Sequence, residues 1–108
     1  MELDDYQTSA LKTAIYNKQF ALIYPALGLA GEAGEVADKV KKMIRDNGGI
    51  MTEGARTALA KEIGDVLWYV ATMAHDLGYT LEDIAVINLN KLSGRAKSGT
   101  IGGSGDDR

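Results

Sequence analysis

Apolar residues return every three to four positions along four stretches of this 108-residue chain, and no alternating run is long enough to make a strand. That pattern predicts an all-α protein with four helices. The first starts near Leu3, with Asp4 or Asp5 at its N-terminus and Tyr6, Ala10, Leu11, Ala14 and Ile15 on one face. The stretch Asn17 to Tyr24 is ambiguous. A second helix runs from about Pro25, after the Tyr24-Pro25 break, to Asp46, where Asn47-Gly48-Gly49 ends it. A third runs from about Thr52 to Leu77, ended by Gly78. Thr80-Leu-Glu-Asp83 forms a capping box for a fourth, which reaches Arg95 or Lys97. Residues 1–97 thus make one all-α domain, and residues 98–108, with Gly99, Gly102, Gly103 and Gly105, a Gly-rich tail.

Composition removes most chemistries. Twelve Lys and Arg against 15 Asp and Glu leave a net charge of −3, which argues against a nucleic-acid polymer as partner. With no Cys and only His75, the chain has no disulfide framework, no Cys-ligated zinc, no cysteine nucleophile and no His-pair metal site. A di-iron carboxylate bundle would need a His three residues after a Glu on two helices, and residue 72 is Thr. No stretch of about 18 apolar residues exists to enter a membrane. Glu2, Asp4 and Asp5 stand where a secretory leader would be basic, so a soluble, cytoplasmic protein is expected. What remains is carboxylates, amines, guanidinium and hydroxyls, which suit hard, oxygen-preferring metal ions or no chemistry at all.

The carboxylates are not scattered. At about 100° per residue, with Glu32 at zero, the apolar residues of the second helix fall on an arc of roughly 20° to 120° and Glu35 near 300°. With Glu62 at zero on the third helix, the apolar arc covers roughly 40° to 140°, Asp65 lies near 300° and Tyr69 near 340°. Each helix carries two acids, three residues apart, on the same flank of its apolar stripe. Antiparallel packing would let the four converge, where they repel one another unless a cation joins them; magnesium or manganese suits such oxygen density. A solvated acidic flank is the plainer alternative. Gly31, Gly34 and Gly64 beside these acids read either as tolerated drift or as points of close approach.

Gly28-Leu-Ala-Gly-Glu32-Ala-Gly-Glu35-Val-Ala-Asp-Lys39, then Glu62-Ile-Gly-Asp65-Val-Leu-Trp-Tyr69, resembles the MazG-like family of all-α nucleoside triphosphate pyrophosphohydrolases. Asn88-x-x-Lys91-Leu92-x-x-Arg95, then Gly99, resembles that family's third block, and the likeness runs from about Tyr6 to the end. The resemblance implies a four-helix bundle-like fold assembling as a dimer or tetramer. It implies magnesium-dependent hydrolysis of a (deoxy)nucleoside triphosphate to the monophosphate and pyrophosphate, for nucleotide pool sanitation or control. Glu32, Glu35, Glu62 and Asp65 would be the metal ligands, one of them serving as general base, and Asn88, Lys91 and Arg95 would face the phosphates. Tyr69 would pack on the sugar or cap the site, with a core-edge tyrosine as the alternative. Lys39 would pair with Glu35 on its own helix or contact phosphate. Phage and bacterial relatives end in a similar Gly-x-Gly-Asp-x-Arg tail, so the tail would cover the site or a neighbouring subunit, with Arg108 on a phosphate; a phage-encoded form would act in the host cytoplasm.

The back of the third helix carries Thr57, Ala60, Gly64, Trp68, Ala71 and His75, with only Lys61 charged nearby. That face is expected to be covered, by a second subunit anchored on Trp68 or by the chain's own first helix. His75, far round the helix from the acids, is read as structural or interfacial. Base preference would depend on the first helix, for instance Gln7, or on Asn17–Tyr24. Within the same superfamily a dUTP or dCTP pyrophosphatase is the alternative, and outside it a non-catalytic helical oligomerisation module.

Overall fold

The third helix is the axis on which the others pack. The computed structural model describes residues 1–107. It contains α1 (Leu3–Leu11), a 3-10 turn (Lys18–Phe20), α2 (Ile23–Asn47), α3 (Glu53–Asp76) and α4 (Leu81–Ser98), with no strand among the described residues. α2 and α3 form a long hairpin; α1 and α4 pack on the C-terminal half of α3 and on each other.

Local chemistry explains most boundaries. Thr52 Oγ1 accepts from Ala55 N at 3.1 Å to open α3. The capping box at α4 is complete: Thr80 Oγ1 accepts from Asp83 N, and Asp83 Oδ2 accepts from Thr80 N, both at 3.0 Å. Asp4 of α1 accepts from Glu82 N at 3.0 Å, so one helix caps another. Gly48, with φ +58°, closes α2 in the left-handed conformation. Two expectations need correction. α1 ends at Leu11, so Ala14 and Ile15 leave the helix and Ile15 is 92% exposed. α2 starts two residues before Pro25, which sits in the first turn, where a backbone N–H has no helical partner to lose.

The expected bundle is only half built in one chain. Among the described residues the buried core hydrophobics are Ala10, Ala71, Ala74 and Leu81, with Pro25 and Thr72 also buried. Trp68 packs against this cluster, and its Nε1 donates to Thr13 Oγ1 at 2.8 Å. The chain's own N-terminal segment therefore covers the back of α3 around Ala71, with Trp68 half-buried against it. Gln7 is a buried clamp: its amide donates to Ala71 O and Tyr79 O and accepts from Leu81 N. By contrast Leu27, Ile44, Ile63, Ile87 and Leu89 are each more than half exposed. The Cα radius of gyration is 16.7 Å, against about 13 Å for a compact domain of this length.

Candidate active site

Antiparallel packing of α2 on α3 joins their acidic flanks. Glu32, Glu62 and Asp65 each offer a carboxylate oxygen within 4.8 Å of the others. Glu35, the fourth expected ligand, stays outside this group: its side chain is 56% exposed and lies 3.9 Å from Lys39. Asp38, on the same helix, is occupied by Lys41 and Lys42 at 3.1 and 2.8 Å, which hold its carboxyl down to about 2.

Lys39 is the cation of the cluster. Its Nζ reaches across to Glu62 Oε1 at 3.1 Å, closer than to Glu35 on its own helix. The two central carboxyls respond in opposite directions. The Lys39 ammonium pulls Glu62 below the usual glutamate range, and the Glu62 carboxylate, with Asp65 and Glu35, pushes Glu32 above it. Glu62 Oε2 is buried and carries no hydrogen bond among the described residues. A buried acceptor without a donor, beside two further carboxylates, fits a hard cation such as magnesium.

Aromatic rings wall the cluster. A cleft of about 350 Å³ is bordered by Glu32, Asp65, Trp68 and Tyr69. The Tyr69 ring lies over α2 at Gly28, where any Cβ would overlap it. Gly28 is thus the glycine that close approach requires, while Cβ atoms at Gly31, Gly34 and Gly64 would meet open space within this chain. Tyr69 tilts against Tyr24 with ring centroids 6.3 Å apart, and Tyr24 stacks on Tyr16 at 4.8 Å. Burial, then Tyr24, raises the Tyr69 hydroxyl, so it stays a donor at neutral pH. The Tyr16–Tyr24–Tyr69 series had no periodic signal, because Tyr16 lies between helices and Tyr24 on an irregular helix start.

The α4 residues stand apart from the acids: among the described residues no hydrogen bond or ion pair joins the two groups. Asn88 is exposed. Lys91 Nζ donates to Asp106 Oδ1 at 3.1 Å, and Arg95, only 8% exposed, donates to Gly105 O and Asp106 O at 3.2 and 2.7 Å. The tail therefore folds back on the cations of its own α4, helped by left-handed Gly99, Gly103 and Gly105. Arg108 lies outside the described residues.

Comparison with known proteins agrees with this geometry. The family model described as the MazG nucleotide pyrophosphohydrolase domain matches residues 25–100. The chain is similar to Gene 37 protein of Mycobacterium phage L5, with 46% identity over 114 aligned positions covering all of both chains. No solved structure matches it. No described helix is long and apolar enough to cross a membrane. The chain belongs to the MazG nucleotide pyrophosphohydrolase domain family.

Proposed function

We propose that the protein is a magnesium-dependent hydrolase that cleaves (deoxy)nucleoside triphosphates to the monophosphate and pyrophosphate, serving nucleotide pool sanitation or control. The observation that carries this reading is the Glu32–Glu62–Asp65 group with the unpartnered, buried Glu62 Oε2, in a chain of this family. These three residues would hold the ion, with Glu35 reaching it only if Lys39 releases its carboxylate. Magnesium there would neutralise phosphate charge and acidify a water.

The remaining roles belong to this chain's own groups. A carboxylate of this group not taken up by the ion would serve as general base for the attacking water. Lys39 holds Glu62 charged and in place. Tyr69 borders the cleft beside Glu32 and Asp65, where it can pack against the sugar. Asn88, Lys91 and Arg95 form the phosphate-facing patch, with Asp106 shielding it until phosphates compete for the two cations.

Self-association completes the assembly, as a dimer or tetramer. The single chain exposes 7569 Å², whereas a folded monomer of 11.5 kDa exposes about 5,800 Å². Ile63 and Leu67, on the apolar stripe of α3, are 61% and 37% exposed and are the anchors the geometry favours in place of Trp68. A partner over this stripe would also bring a second α4 toward the acids.

The test is product identity. Wild-type protein with a dNTP and magnesium should yield one pyrophosphate per monophosphate and nothing with EDTA. Diphosphate and orthophosphate as products, or no turnover of any nucleotide, would reject the reading in favour of a non-catalytic helical module.

A further inference from the structure

A second cavity lies at the C-terminal end of α3, and its Asp76 points the same way around the helix as the acids. Asp76 follows Asp65 by 11 residues, which returns it to within about 20° of the same direction around the helix and places it about 16 Å along the axis. Tyr69 lies between them on that face. The cavity, about 480 Å³, is walled by Leu11, Ala14 and Ala21 and carries Tyr16, Lys18, His75 and Asp76 as polar groups. Its volume is in the range of small-molecule sites, and its few polar groups converge on apolar walls.

Asp76 builds this cavity. Its Oδ2 accepts from the Tyr16 hydroxyl at 2.7 Å and from Leu22 N at 2.8 Å. Leu22 has φ +68°, a conformation costly to a branched side chain, and the bond to Asp76 helps to hold it there. The stacked Tyr16 and Tyr24 rings then connect the cavity to Tyr69 and the acids. Both bonds go to Oδ2, and among the described residues no hydrogen bond is made to Oδ1.

We infer that this cavity receives the nucleobase, and that Asp76 and Lys18 select bases carrying a lactam N–H beside a carbonyl (uracil, thymine and guanine) over adenine and cytosine. The inference rests on the proposed function, since the acids would hold the phosphates of the same molecule. The chemistry is one of sign. A lactam N–H donates to Asp76 Oδ1 while its carbonyl accepts from the Lys18 ammonium. Adenine and cytosine present a ring nitrogen lone pair at that position, which faces the carboxylate unfavourably and leaves it unpaired. The sugar would lie against the edge of the stacked Tyr16–Tyr24 pair.

The test compares kcat/KM for dUTP, dGTP, dCTP and dATP in wild type, Asp76→Asn and Lys18→Met. Wild type should favour dUTP and dGTP by about tenfold or more. Asp76→Asn can still accept from Leu22 N and Tyr16 through its amide oxygen, and it presents an NH₂ in place of Oδ1. Its preference should therefore turn toward dCTP and dATP, whereas a purely structural role would lower all four alike. Lys18→Met should lower the lactam bases selectively. Equal rates for the four nucleotides in wild type, or a uniform factor in Asp76→Asn, would overturn the inference while leaving pyrophosphate release intact. If wild type cleaves none of them, the proposed function falls, and nucleoside binding decides separately. Deoxyuridine and deoxyguanosine should shift the Ala14 and Ala21 methyl resonances at millimolar concentration more than deoxycytidine and deoxyadenosine do, and no selective shift would reject the pocket.

Discussion

Lys39 Nζ stands 3.1 Å from Glu62 Oε1, so a lysine of α2 neutralises a carboxylate of α3 whose side chain is only 15% exposed. Removing it as Lys39→Met should let Glu62 titrate higher. Metal ligands must be deprotonated, so the acid limb of magnesium-dependent turnover should move to higher pH. The sign for folding is the same: the Lys39–Glu62 contribution is present above the ordinary glutamate range and is lost as pH falls through the lowered Glu62 pKa. Glu32 opposes it, because its raised pKa makes charging it costly as pH rises. A pH–rate profile of the variant, unmoved from wild type, would contradict the assigned pairing.

Gly28→Ala should destabilise the fold. A Cβ there overlaps the Tyr69 ring, and overpacking of this kind costs about 1–3 kcal/mol. In a domain of this size that reads as a Tm fall of roughly 4–8 °C per kcal/mol. The double variant Gly28→Ala/Tyr69→Leu should recover part of the loss; thermal melts of the single and double variants measure it.

Asp106→Asn should weaken the hold of the tail on Lys91 and Arg95 and lower KM for a triphosphate while leaving kcat near wild type. Exposed ion pairs are worth about 0.2–1 kcal/mol, so the change in KM should be roughly 1.4- to 5-fold. A raised KM would instead make Asp106 a residue that orders the patch for substrate.

Ile63→Asp should shift the protein to a smaller species in sedimentation velocity, because a charge would replace an apolar side chain on the stripe left open in one chain. Trp68→Ala, which empties an intrasubunit contact, should lower Tm and leave the mass unchanged.

The helices were legible in the sequence because periodicity, capping residues and glycine stops act locally. Thr80 with Asp83, and Gly48 after Asn47, are set by neighbours a few residues away. The phase of Glu32, Glu62 and Asp65 on their helices was legible for the same reason. That Glu35 would stand outside the group, turned toward solvent and Lys39, was not, since it depends on the separation of two helices. Tyr16, Leu22 and Asp76 meet over more than 50 residues of chain, and a left-handed leucine has no local sequence signal. Which element packs on Trp68 was not legible, because an apolar back face does not say what covers it.

The most direct test of the account is pyrophosphate release from a dNTP by wild type and Glu62→Gln, each titrated with magnesium and each checked for helicity. The account predicts saturable magnesium dependence in wild type and a loss of turnover of about a hundredfold or more in Glu62→Gln at unchanged helix content. Wild-type turnover in Glu62→Gln, or release in wild type that ignores magnesium, would contradict it.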